Sequence, residues 1–340
     1  MNREKVLSLI AADYCLSCFA TRTTPSIASQ WWFSICWSPE LNIFCVVSNT
    51  GSAIQSIMTS SDGINWATKT TPSIANNWYS ICWSPELNMF CAVSGIGLAT
   101  ERVMTSSDGI NWATRTTPSV TSTWTSVCWS PELNMFCAVG SSGLVTEGVM
   151  TSNDGINWAT KTTPSITNSW YSICWSPKLH MFCAIASSGG LVTERVMTSR
   201  DGISWATKTT PSIATAWSSV CWSPELNMFC AVSDSGIATQ RVMTSSDGIN
   251  WATRTTPSIA NFWKGICWSP ELHMFCAVSD SGLVTERIMT SSDGINWATR
   301  TTPSISNTWR SVCWSPELHM FCTVAYSGSA TQQIMTSRLL

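Results

Sequence analysis

Apolar residues along this chain come in short bursts separated by turn-forming residues, and the same succession of bursts returns about every 46 residues. One unit shows the pattern. Trp78-Tyr79-Ser80-Ile81-Cys82-Trp83 is aromatic and β-branched and predicts a strand. Ser84-Pro85-Glu86-Leu87-Asn88 predicts a turn, with proline setting φ. Met89-Phe90-Cys91-Ala92-Val93 is continuously apolar, as in a strand covered on both faces. A glycine-containing loop (Ser94 to Thr100) leads to a third strand at Arg102 to Thr105. Asp108-Gly109 then signals a tight turn before a fourth strand, Trp112 to Thr117.

The Cys-Trp dipeptide measures the period. It ends at Trp37, Trp83, Trp129, Trp175, Trp222, Trp268 and Trp314, in steps of 46, 46, 46, 47, 46 and 46 residues. Four antiparallel strands per unit at this period predict an all-β, seven-bladed β-propeller. The ends of the repeated region agree with a closed ring. Phe19 to Ser26 matches only a fourth strand and Ile334 to Ser337 only a third, so an N-terminal strand is expected to complete the last blade. A solenoid would instead need polar capping repeats. The expected organisation is an N-terminal extension over residues 1–18 and one propeller over residues 19–340.

Composition narrows the function. Charged residues are 11% of the chain and the formal net charge is −2. That argues against nucleic acid, whose phosphates call for clustered Lys and Arg. No apolar run reaches membrane-spanning length, so no membrane insertion is expected. Met1 to Ala12 resembles a signal peptide only faintly, because Glu4 and Asp13 interrupt the pattern. Fourteen of the 16 cysteines recur at two places per repeat beside apolar residues, as in Cys36/Cys45 and Cys82/Cys91. They read as buried thiols in a reducing compartment. No Asn-x-Ser/Thr sequon occurs. A cytoplasmic or virion-associated setting is therefore expected over secretion.

The segment Ser106-Ser107-Asp108-Gly109-Ile110-Asn111-Trp112 resembles the Asp-box of bacterial neuraminidase repeats, with one residue fewer between Asp and the aromatic. Trp83 to Leu87 with Phe90 to Val93 is similar to repeats of the propellers that carry this box. The resemblance spans residues 19 to 337. It implies a structural hairpin at Asp62, Asp108, Asp154, Asp201, Asp247 and Asp293. It also implies that Trp66, Trp112, Trp158, Trp205, Trp251 and Trp297 pack between blades. Turn chemistry agrees, since a short Asp side chain accepts backbone N–H bonds.

Catalytic and metal constellations are not evident. Arg102, Arg195, Arg241 and Arg287 share one repeat position. The four tyrosines are scattered, and no carboxylate stands out as unique to one blade. The chain is therefore read as no enzyme and as needing no cofactor or metal, with a glycosidase as a distant alternative. His180, His273 and His319 share a turn position that Asn42, Asn88, Asn134 and Asn227 hold in other units. Cys15-x-x-Cys18 has no second pair at zinc spacing. Arg22, Lys69, Arg115, Lys161, Lys208, Arg254 and Arg300 fall on the fourth strand, where a cation guards an exposed edge.

Two connections hardly vary, the Ser-Pro-Glu-Leu turn (changed only at Lys178) and the Asp-Gly turn, and in a propeller both lie on one face. The connections on the opposite face do vary. That face is expected to recognise a protein or a glycan through Phe33, Tyr79, Tyr171, Phe262, Lys264 and Arg310, since aromatics and Arg dominate binding hot spots. The alternative is a structural component of a larger assembly such as a viral particle.

Overall fold

The computed structural model describes residues 19–26, 31–50, 55–74, 76–141, 146–213 and 215–337. The extension at 1–18, with its Cys15/Cys18 pair, lies outside them. The described residues form 28 strands, β1–β28 in chain order, in seven four-stranded antiparallel sheets. The first blade is representative. Its innermost strand β2 (Trp32–Ser38) pairs with β3 (Ile43–Ser48), which pairs with β4 (Ile57–Ser60), which pairs with β5 (Ala67–Lys69). The last blade takes three strands from the C-terminal end, β26 (Trp309–Ser315), β27 (Met320–Ala325) and β28 (Ile334–Ser337). Its fourth is β1 (Phe19–Arg22), with Phe19 opposite Ser337 and Arg22 opposite Ile334. The expected ring and its N-terminal latch are thus the observed fold.

The second strand of each blade is apolar throughout because both of its faces are covered. Phe44, Cys45, Val46 and Val47 are fully buried. One face of blade 1 (Trp32, Ile35, Trp37, Phe44, Val46, Met58) packs with Cys322, Val324 and Ile334 of blade 7. The other (Cys45, Val47, Ile57) packs with Trp78, Ile81 and Trp83 of blade 2. The core is therefore seven inter-blade layers, each with one fully buried tryptophan from Trp32, Trp78, Trp124, Trp170, Trp217, Trp263 or Trp309. The paired cysteines lie opposite each other in register, as Cys36 does to Cys45, and all fourteen described ones are free thiols. Burial pushes the Cys45 and Cys82 thiols well up, so they serve as small apolar side chains rather than nucleophiles.

The Asp-Gly turn is a closed hydrogen-bond unit. Backbone N–H groups of Ile64 and Asn65 donate to Asp62 Oδ1 at 2.8 and 2.7 Å, and Asn65 Nδ2 donates to Oδ2 at 2.7 Å. Ser60 Oγ donates to Oδ1 and accepts from Gly63 N. Gly63 adopts φ 70°, and a Cβ there would sit 2.7 Å from Met320 of the preceding blade. Glycine is thus required both by conformation and by the neighbour. Trp66 donates to Gly63 O and packs near Phe44, 6.0 Å between ring centroids. The turn position of His180, His273 and His319 has φ 46–47°, which explains its exchange with asparagine.

Two further bonds repeat between blades. The Trp37 indole donates to Glu317 Oε2 at 2.5 Å, and Trp83, Trp129, Trp175, Trp268 and Trp314 donate likewise to Glu40, Glu86, Glu132, Glu225 and Glu271. In the one remaining junction the glutamate is replaced by Lys178, and the Trp222 Nε1 is buried without a partner. Lys178→Glu is expected to restore that bond and stabilise the protein by about 1–2 kcal/mol, the scale of a charge-assisted bond to a buried donor. A rise in the urea midpoint at unchanged slope measures it; an unchanged midpoint would mean the orphaned indole costs nothing.

Candidate functional site

The second inter-blade bond runs from an inner-strand N–H to a serine of the preceding blade. Ile35 N donates to Ser311 Oγ, and Ile81, Val127, Ile173, Val220 and Ile266 donate to Ser34, Ser80, Ser126, Ser172 and Ser219, at 3.2–3.4 Å. Immediately before each of these serines the ladder slips. In β2, Trp32 pairs with Ser48 and Ser34 with Val47, which leaves Phe33 as an extra residue. The same bulge recurs in every blade and falls on Tyr79, Thr125, Tyr171, Ser218, Lys264 and Arg310. A bulge re-aims a side chain at the cost of one unpaired residue. Seven innermost strands each spend one here, at the variable end of the channel, and six different residue types stand at the seven bulges.

A second ring adjoins the first. The residue just after the second strand's shared Ser or Ala is Asn49, Asp234, Asp280 or Tyr326 in four of the blades. Together the rings make one connected cluster. Lys264 Nζ is ion-paired with Asp234 and lies 3.5 Å from Asp280 Oδ2; Arg310 Nη1 lies 3.5 Å from the same oxygen. The other Arg310 nitrogen, Nη2, donates to the Tyr171 hydroxyl at 2.7 Å. Tyr171 belongs to blade 4 and Arg310 to blade 7, so this bond spans the channel mouth. The guanidinium also lies over Phe33, 4.6 Å from its centroid, and 5.7 Å from that of Tyr326.

An aromatic wall completes the site. Phe33 meets Tyr79 edge-on at 4.8 Å and Tyr326 at 5.8 Å, and Trp31 tilts against Tyr326 at 5.1 Å. Trp31 is 42% exposed, while Phe33 is buried. Burial raises the Tyr79 hydroxyl's pKa, offset in part by its hydrogen bond with the Asn49 side chain. A Cβ on Gly95 would come within 2.7 Å of the Tyr79 ring, so only glycine leaves room for that tyrosine. One carboxylate oxygen, Asp280 Oδ1, is buried and takes no hydrogen bond.

Of the six residues predicted to contact a partner, the structure brings Phe33, Tyr79, Tyr171, Lys264 and Arg310 into this cluster. Phe262 stands apart, 41% exposed, with the Arg241 guanidinium 5.0 Å from its ring. Asp234 and Asp280, which share one repeat position in two blades and were not singled out from the sequence, complete the cluster. Aligning the repeats at the position after the second strand would have found them. The arginine series is structural: Arg102, Arg241 and Arg287 reach the backbone carbonyls of Ser122, Asn261 and Asn307 in the next blade's loop. Part of the loop variation is structural too. Asn76, Asn168, Asn261 and Asn307 are buried and donate to carbonyls of Glu101, Glu194, Glu286 and Gln332. Among the described residues no group of three or more His, Cys, Asp or Glu is placed to hold a metal ion.

No family model matches the sequence, and no curated protein matches it. Solved structures do. A catalytically inactive virginiamycin B lyase from Staphylococcus aureus, solved with quinupristin, superposes with a TM-score of 0.76 at 9% identity, over 95% of this chain and 99% of that one. A streptogramin B lyase gives 0.73 at 8%, over 94% and 96%. The chain shares their fold. It is also similar to the Cps50 (Swd1) β-propeller domain of Myceliophteria thermophila, with a TM-score of 0.62 at 10% identity over 93% of this chain and 99% of that one. These likenesses correct the expectation that the chain is no enzyme. The same ring carries a lyase, so a propeller architecture gives no ground for excluding catalysis.

Proposed function

We propose that the variable end of the central channel is a recognition site, formed by the seven bulged residues and the ring of Asn49, Asp234, Asp280 and Tyr326. The bulge is the observation that carries this reading. A ring built for shape alone has no need to interrupt every innermost ladder at a position where aromatic, hydroxyl and cationic side chains alternate between blades. The site's order supports it as well, because ion pairs and ring contacts hold the side chains before any ligand arrives. A lyase of the same fold solved with quinupristin supports reading such a ring as a holder of ligands.

The test is native mass spectrometry of the protein after exposure to extract of its source, beside a Tyr171→Ser/Arg310→Ser variant. Serine already stands at this position as Ser218, so the ring tolerates it. A bound species on the natural protein that the variant fails to retain is the expected result. Equal retention by both would move recognition away from the mouth. The mass of the released species tells whether it left unchanged or converted.

A further inference from the structure

Resting on the reading of the mouth as a recognition site, we infer that its ligand is a neutral carbohydrate. Charge comes first. Lys264 and Arg310 are matched by Asp234 and Asp280, and the four are already bonded to one another as a chain that ends on Tyr171. A strongly anionic ligand would find its cations neutralised, and a cationic one its carboxylates. Either would have to break an ion pair that is mostly withdrawn from water. A neutral ligand breaks none.

Shape and polarity then select among neutral ligands. One side of the mouth is aromatic, with Trp31 exposed and set against Tyr326 and with Phe33 and Tyr79 behind. Beside it lie the Arg310 guanidinium, the Lys264 ammonium, the Asp280 carboxylate they share and the Tyr171 hydroxyl. Such groups both donate and accept, so they suit a ligand that does the same. A pyranose ring has both halves. Its C–H face packs on an aromatic ring, and its neighbouring hydroxyls donate to a carboxylate while accepting from Arg or Lys. An aliphatic ligand would cover these polar groups without bonding to them, at a cost.

The experiment is an array of immobilised neutral oligosaccharides (glucose, galactose, mannose, xylose and N-acetylglucosamine series), with sialylated and sulfated glycans and a set of unstructured peptides alongside. The natural protein, Trp31→Ala and Asp280→Asn are compared at low and high salt. Trp31 is exposed, so its removal leaves the fold in place. Binding to a neutral series is expected, little changed by salt because no net charge is neutralised. It should weaken about tenfold in Trp31→Ala, the upper scale of one aromatic contact. Binding confined to sialylated or sulfated glycans, lost at high salt, would overturn the carbohydrate assignment as neutral. Binding of peptides alone, lost in both variants, would overturn the carbohydrate class and leave the mouth as the site. Neutral-sugar binding that both variants retain in full would overturn the mouth itself.

Discussion

A chain shortened to begin at Thr23 is expected to unfold at a much lower urea concentration than the full chain, and to associate through the edge it leaves bare. Strand β1 supplies the fourth strand of blade 7 from the far end of the sequence. Without it, β28 presents unpaired N–H and C=O groups, which template pairing with other chains. Phe19, 7% exposed, also leaves the last inter-blade layer, where it clusters with Trp309, Phe321 and Met335. Losing that side chain alone costs about 3–5 kcal/mol by the scale of buried Phe to Ala changes, so Phe19→Ala separates packing from pairing. A synthetic peptide of residues 19–26 added to the shortened chain should raise the midpoint again. An unchanged midpoint on truncation would show that the six other blades hold the ring without its latch.

The second large effect is with acid. For the six turn aspartates desolvation is the largest single effect, and on its own it would raise their pKa. The hydrogen bonds from the following backbone N–H groups and side chains outweigh that effect. They hold Asp62, Asp108, Asp154, Asp201 and Asp247 down to about 2, and lower Asp293 as well. Folded values below the unfolded one of about 3.9 mean that the unfolded chain binds more protons. The stabilisation is then fully present above about pH 4–5 and is lost as pH falls through the folded values near 2. Because the six groups titrate together, the urea midpoint should fall steeply between pH 4 and 2 and stay flat from pH 5 to 7. Asp108→Asn should flatten the fall by roughly a sixth, since one of six like contributors is removed. A midpoint indifferent to pH down to 2 would mean that these turns carry little of the ring's stability.

The ring was legible in the sequence because a period of 46 residues and split terminal strands admit few architectures. The bulge was less so. Its trace is the apolar spacing in Trp32, Ile35 and Trp37, three then two, where strict alternation would put Trp32 with Ser34 and Cys36. Those three share one core layer with Phe44 in the structure. The glutamate partners of Trp37 and its counterparts and the carbonyl partners of the loop asparagines were hidden for another reason. Each lies across a blade junction or a loop, 25 or more residues away along the chain, and a repeat compared only with itself conceals contacts made to the next copy. The carboxylates of the mouth were missed because they sit just past a strand, where a varying residue reads as loop drift.

The bonds that join one blade to the next have a consequence for how such a protein can change. Trp to Glu and N–H to Ser follow one rule from blade to blade, broken once each at Lys178 and Gly265, and the rule is indifferent to how many successors there are. Only the return from blade 7 to blade 1, through Ser311 and Ile35 and through Glu317 and Trp37, depends on the total. Near-identical tandem copies in a gene gain and lose units by misaligned recombination. Here every such product would carry sound blades but would have to close at a different angle between them, so closure acts as a check on their number. The mouth, whose residues each come from a particular blade, is thereby kept whole.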